Sequence, residues 1–164
     1  MNTRTQRGFT IIEVVLVLAI AGLIFLMVFI ALPALQKGQR DTQRRNDVSR
    51  FRAQVNQYQA NRKGVVPGAL VADMTSFQTS YLDGSGGWKD PKTGNDYPFV
   101  EWANGTQTFV GKLGTSDADS GKWTYLNNAR CSDDGTTFTT GTGTRTYAVA
   151  MKLEGSGYTC QDNQ

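Results

Sequence analysis

Gly8-Phe9-Thr10-Ile11-Ile12-Glu13 runs directly into Val14–Leu32, a stretch that reads VVLVLAIAGLIFLMVFIAL and carries no charge. Those nineteen residues, at about 1.5 Å of helical rise each, cover roughly 28 Å, close to the hydrocarbon thickness of a bilayer. Glu13 stands out at the edge of this run. A carboxylate in lipid costs on the order of 2.5–3.5 kcal/mol at the bilayer centre and less near the interface, so its presence calls for a partner. Two general readings are open on the residues alone, with Met1 to about Ala34 either a secretory signal or an uncleaved single-pass anchor, and Arg4 and Arg7 its basic end. The run is longer than the core of an ordinary signal, and Leu32-Pro33-Ala34 departs from the small-x-small pattern of its cleavage sites.

The short basic leader, Gly8, Phe9, Thr10, the glutamate four residues after Phe9 and the long apolar run together resemble the N-terminal signature of type IV pilins and pseudopilins. The resemblance implies that a prepilin peptidase cuts after Gly8 and methylates the new terminal residue, Phe9. It implies that Glu13 guides assembly. A cleaved chain would carry a cationic amine at Phe9, one helical turn from Glu13, and a carboxylate in apolar surroundings needs such a partner, from its own chain or a neighbour. Pairing with a neighbour would fix axial register between subunits.

The 164 residues allow one long helix and one compact domain. Segment 36–63 carries Lys37, Arg40, Arg44, Arg45, Arg50, Arg52, Arg62 and Lys63 against Asp41 and Asp47 only, whereas 64–164 has an acidic excess. The organisation expected is a leader over 1–8, a helix over 9–63 whose part 9–35 is the membrane and filament segment, and a head over 64–164. The fold class expected is α+β: a long N-terminal helix packed on a small antiparallel sheet.

Pro33 should kink or loosen the helix, because proline removes an amide donor and crowds the preceding turn. Beyond it the segment is rich in Arg, Gln and Ala, and Val48, Phe51, Val55 and Tyr58 form one apolar stripe for a sheet. Gly64, Pro67 and Gly68 end the helix, a shorter helix is expected over 71–81, and Gly84–Gly87 break the chain. Strands are expected over 97–102, 106–112 and 122–126. The clearest alternates along 145–154, with Tyr147, Val149, Met151 and Leu153 toward a core and Ala148, Ala150, Lys152 and Glu154 toward solvent. Gly155-Ser156-Gly157 then turns the chain into a last strand through Tyr158 and Cys160, an ending similar to the C-terminal hairpin of many pilin heads. Segment 136–146, nearly all Thr and Gly, reads as an edge strand or a surface loop, with O-glycosylation a compositional option.

Cys131 and Cys160 are the only cysteines. The pilin resemblance implies that they close a C-terminal loop as a disulfide, which would place the head in an oxidising, extracytoplasmic compartment; two buried thiols are the alternative. The positive-inside rule points the other way, since the cations after the apolar run outnumber Arg4 and Arg7. The basic segment itself has three readings: a solvated rod face, a subunit contact with head acids such as Asp73 or Asp83, or sequence-independent DNA capture.

Chemistry is sparse. There is no histidine, no cysteine cluster of metal spacing and no phosphate-binding glycine loop, so no catalytic residue and no cofactor are expected. Asp117-Ala118-Asp119-Ser120-Gly121 has some of the look of a calcium loop without its ligand spacing, and reads as a solvent turn with no metal. What the resemblance implies is a structural pilus subunit, anchored in the inner membrane before assembly and extracellular after it. Its implied partners are copies of itself, the peptidase, an assembly platform and motor ATPases, with DNA a weaker candidate. A pseudopilin of a secretion system and a membrane-tethered binding module are the competing functions.

Overall fold

The computed structural model of the chain describes residues 8–83, 87–102, 108–141, 143–155 and 157–163. The leader, most of the break at 84–87, and the start of the strand expected over 106–112 lie outside them. The chain forms two compact units, 1–36 and 37–164.

One helix, α1 (Ile11–Asn61), supplies the described structure of the first unit beyond Thr10 and continues into the second. It carries a window of mean hydropathy 3.2, long and apolar enough by length and composition to cross a membrane. α1 continues through Pro33, since one missing donor does not end a 51-residue helix. α1 stops at Asn61, where Lys63 and Gly64 take φ of 55° and 85° and the Gly64 amide donates back to the Gln59 carbonyl at 2.7 Å. Glycine bears that left-handed turn without a Cβ clash.

In the second unit α2 (Val71–Phe77) is extended by a π-helical turn over Gln78–Leu82, so the short helix expected at 71–81 forms. Segment 109–113 is helical, as α3 (Phe109–Leu113), and corrects the strand expected over 106–112. The local reason is a cap: the Thr108 hydroxyl accepts from the Gly111 amide, and Gly114 at φ 80° ends the turn. Strand β1 (Trp123–Asn127) pairs antiparallel with β4 (Tyr147–Lys152), which pairs antiparallel with β5 (Tyr158–Asp162), giving the order β1-β4-β5. A separate antiparallel pair joins β2 (Ala129–Cys131) to β3 (Phe138–Thr140), so part of the Thr/Gly segment is an edge strand. The strand expected over 97–102 reduces to a single bridge between Phe99 and Trp123.

One sheet face meets α1. Val48, Phe51 and Val55 are buried with Trp123, Tyr125, Tyr147, Val149 and Met151, and the Phe51 ring lies 5.0 Å from Trp123 and 5.3 Å from Phe77. The stripe read from the sequence therefore packs on the sheet. The opposite face is not solvated, which corrects the alternation expected for 145–154. All six residues of β4 are buried, because Trp102, Phe109 and Leu113 form a second cluster over Ala150. Lys152 reaches out of this layer by donating from Nζ to the carbonyls of Leu153 (2.9 Å) and Gly155 (3.0 Å). As the middle strand, β4 is covered twice, and period-two polarity loses its meaning when both faces are buried.

Cys131 and Cys160 form a disulfide across 29 residues, tying β2 to β5. In the chain-entropy account a loop of this length restricts the unfolded chain by roughly 3.5 kcal/mol. The variant with both cysteines replaced by serine is expected to lose about 2–4 kcal/mol of head stability in denaturant melts. Unchanged melting would assign that stability to packing alone.

Candidate functional site

Two constellations carry the polar chemistry of the chain, one at the start of α1 and one around its residues 37–50.

At the first, Gly8, Phe9 and Thr10 precede the helix, and Glu13 lies in its first turn. The Thr10 amide and hydroxyl both donate to Glu13 Oε2, at 2.8 and 2.9 Å, and the Glu13 amide faces the Thr10 hydroxyl at 3.4 Å. This is a reciprocal cap: a threonine followed three residues later by a glutamate satisfies amides that the first helical turn leaves without partners. The negative carboxylate also sits at the positive end of the helix dipole. Phe9 is 91% exposed, and a Cβ added at Gly8 would meet nothing within 4 Å. The sequence reading grouped Gly8, Phe9 and Glu13; Gly8 and Phe9 lie just before the helix and Glu13 in its first turn, and the reading did not anticipate that Thr10 engages the carboxylate. The signal was there, in the spacing of Thr10 and Glu13.

At the second, the basic segment is bound to the head. Arg44 has no exposed surface, and its guanidinium donates to Asp90 Oδ1 from Nε (2.9 Å) and Nη2 (2.5 Å), to Asp41 Oδ1 (3.0 Å) and to Glu154 Oε2 (3.4 Å). Arg40 grips Glu154 with two bonds, Nε to Oε2 at 2.6 Å and Nη2 to Oε1 at 2.8 Å. Asp41 Oδ1, which accepts from Arg44, also accepts from the Glu154 amide at 2.7 Å, and its Oδ2 accepts from the Gly155 amide at 3.0 Å. Lys37 pairs with Asp117 at 2.5 Å, and Lys92 approaches Glu154 at 3.7 Å. Further along, Arg50 pairs with Asp47 at 3.1 Å, and the Tyr97 hydroxyl donates to Asp47 at 2.8 Å.

These contacts correct the reading of a solvated rod face for Arg40, Arg44 and Arg50, while Arg45, Arg52, Arg62 and Lys63 remain exposed. Within the one chain the segment's partners from the head are Asp90, Glu154 and Asp117. The geometry was latent in the spacing. Asp41, Arg44, Val48, Phe51, Val55 and Tyr58 recur every three or four residues, so the charged pair extends the apolar stripe and is carried into the same interface. The engaged arginines are also withdrawn from any continuous phosphate-binding stripe.

Hydrogen bonding from Arg40 holds the Glu154 carboxyl down to about 2, against burial, which pushes it up. A carboxyl depressed in the folded state contributes stability that is complete above its unfolded value near 4.5 and is lost as pH falls through about 2. Head stability is expected to drop by roughly 3 kcal/mol between about pH 4.5 and 2. Burial raises the Asp47 carboxyl, an opposite contribution that makes the profile shallower. Melts across this range should show the fall in wild type and a flatter curve in Glu154→Gln.

In the candidate calcium loop, Asp117 is held by Lys37, and Asp119 accepts from Lys122 at 2.7 Å and from the Ser116 hydroxyl at 2.7 Å. The hydrogen bond from Lys122, then those from Ser116, hold the Asp119 carboxyl down to about 2. Among the described residues no group of three or more acids, cysteines or histidines is placed to hold a metal.

Residues 3–29 match the family model of the prokaryotic N-terminal methylation motif, the class III leader of type IV pilins and pseudopilins. No curated protein and no solved structure gives a match. The matched residues run into a helix that is long and apolar enough, by length and composition, to cross a membrane.

Proposed function

We propose that the chain is the structural subunit of a type IV pilus, cut after Gly8, N-methylated at Phe9 and assembled through its N-terminal helix. The observation that carries this reading is the methylation motif over 3–29, which from Ile11 onward lies in one helix with an apolar segment whose large side chains are exposed. Phe9, Ile11, Leu23, Phe25, Met27 and Phe29 are each well over half exposed. Such a surface is stable in lipid or against other apolar helices, and not in water.

The membrane then acts as a reservoir. On assembly the stem exchanges lipid tails for copies of itself, so its burial is conserved, and close packing and charge pairing select the filament geometry. Glu13 is the pairing group, with the Phe9 amine of a neighbour as its partner. The head, residues 64–164, is the filament surface, and residues 9–35 are its core.

Intact mass of chains sheared from the cell surface tests this. A chain beginning at Phe9 with one added methyl group is expected; intact Met1 on such material overturns it. Because pseudopilins carry the same leader, deletion separates the two: loss of surface fibres marks a pilin, and loss of protein secretion without loss of fibres marks a pseudopilin.

A further inference from the structure

The first residues after the apolar run form a cationic segment in the sequence and a neutral patch in the fold. Lys37, Arg40 and Arg44 follow Leu35 within nine helical residues, about 13 Å of rise. That distance spans the headgroup layer and part of the Debye length beyond it. Left to themselves these cations would hold the chain to anionic lipid, each by about fivefold in affinity. Each is instead matched. Arg40, Arg44 and Lys92 meet Asp41, Asp90 and Glu154 in one connected set of ion pairs, and Lys37 meets Asp117 in a separate pair, four cations against four carboxylates in all. Asp90, Asp117 and Glu154 come from loops and a strand end distant in sequence, so the match exists only once the head has folded.

We infer that this cluster is an electrostatic mask: folding of the head cancels a latent binding patch for anionic phospholipid headgroups and frees the stem to leave the membrane. The inference rests on the reading that the apolar run is anchored in a bilayer. Its logic is one of direction. A subunit that must be withdrawn from lipid gains nothing from a basic collar at the surface, yet the arginines are useful as ties between α1 and the head. Internal pairing reconciles the two. Masking is strongest at Arg44, where three carboxylates and the loss of all exposure exclude lipid phosphate. It is most easily undone at Lys37, whose side chain is 43% exposed and whose partner Asp117 is 51% exposed.

The test uses the full chain reconstituted in phosphatidylcholine bilayers with trace spin-labelled phosphatidylglycerol or phosphatidylcholine. Electron paramagnetic resonance gives the fraction of each lipid immobilised by the protein, and their ratio reports headgroup preference. Asp117→Asn frees Lys37 at an exposed pair and leaves the buried ties intact. It is expected to raise the preference for phosphatidylglycerol about fivefold over wild type, an increase that disappears in high salt. Asp133→Asn, which removes an exposed acid outside the cluster, is expected to leave the ratio unchanged. Glu154→Gln is expected to exceed Asp117→Asn, because it unpairs Arg40 and weakens the hold on Arg44. An Asp117→Asn ratio equal to wild type overturns the mask, as does an equal rise in Asp133→Asn, which would reduce the effect to net charge. If neither labelled lipid is immobilised, the anchoring reading fails, and the mask with it.

Discussion

Glu13→Ala is expected to give a chain that is cut after Gly8 and methylated as in wild type, yet is recovered in surface fibres at less than about a hundredth of the wild-type level. The reason is where the carboxylate sits and which oxygen is in use. Thr10 occupies Glu13 Oε2 with both of its donors. The second oxygen remains for the cationic amine that cleavage creates at Phe9. In an apolar bundle an amine without a counter-charge costs several kcal/mol, and about 1.4 kcal/mol already weakens an association tenfold. Processing acts on the Gly8–Phe9 bond, outside the helix, and does not need that contact. Glu13→Gln separates the two roles of the side chain, since an amide can still cap Thr10 and cannot neutralise an amine. If Glu13→Gln assembled as well as wild type, capping would be the function and pairing would be excluded. Abundance on shear and mass of the cellular chain are the two measurements.

Arg44→Met is expected to destabilise the head by about 3–5 kcal/mol, whereas Arg45→Met, one residue on, should change it by less than about 0.5 kcal/mol. Arg45 is exposed, while Arg44 is fully buried between Asp41, Asp90 and Glu154. Removing the guanidinium leaves carboxylates in a medium that solvates them poorly, and that penalty, more than the lost attraction, sets the size of the effect. Arg44→Met combined with Asp90→Asn is therefore expected to recover part of the loss. Near-UV circular dichroism of the detergent-solubilised full chain reads the head alone, because Trp88, Trp102 and Trp123 all lie there. Equal melting of the Arg44 and Arg45 variants would show that the buried network contributes nothing.

On the proposed reading, stability and assembly draw on different parts of one helix. The head is fastened to α1 by Phe51 and its ring contacts and by the Arg44 network, and the apolar part before Lys37 is left for partners of its own kind. A subunit built this way can change its surroundings without refolding its head.

What the sequence determined by itself is whatever short-range physics decides. An uncharged apolar run of bilayer length, a threonine and glutamate spaced for a helix cap, the stripe from Val48 to Tyr58 and the glycine turn after Tyr58 all depend on neighbours within a few residues, and all appear in the fold. What only the tertiary structure decided is whatever depends on residues brought together from afar. Whether Ala150 and Lys152 face water depended on Trp102 and Phe109 covering the back of β4, and alternation along one strand carries no record of that cover. Whether the arginines are solvated depended on Asp90 and Glu154, residues 46 and 110 positions from Arg44. Charge is the least local property of a chain: a cation reads the same in the sequence whether its counter-ion is water or a carboxylate a hundred residues away, and only folding chooses.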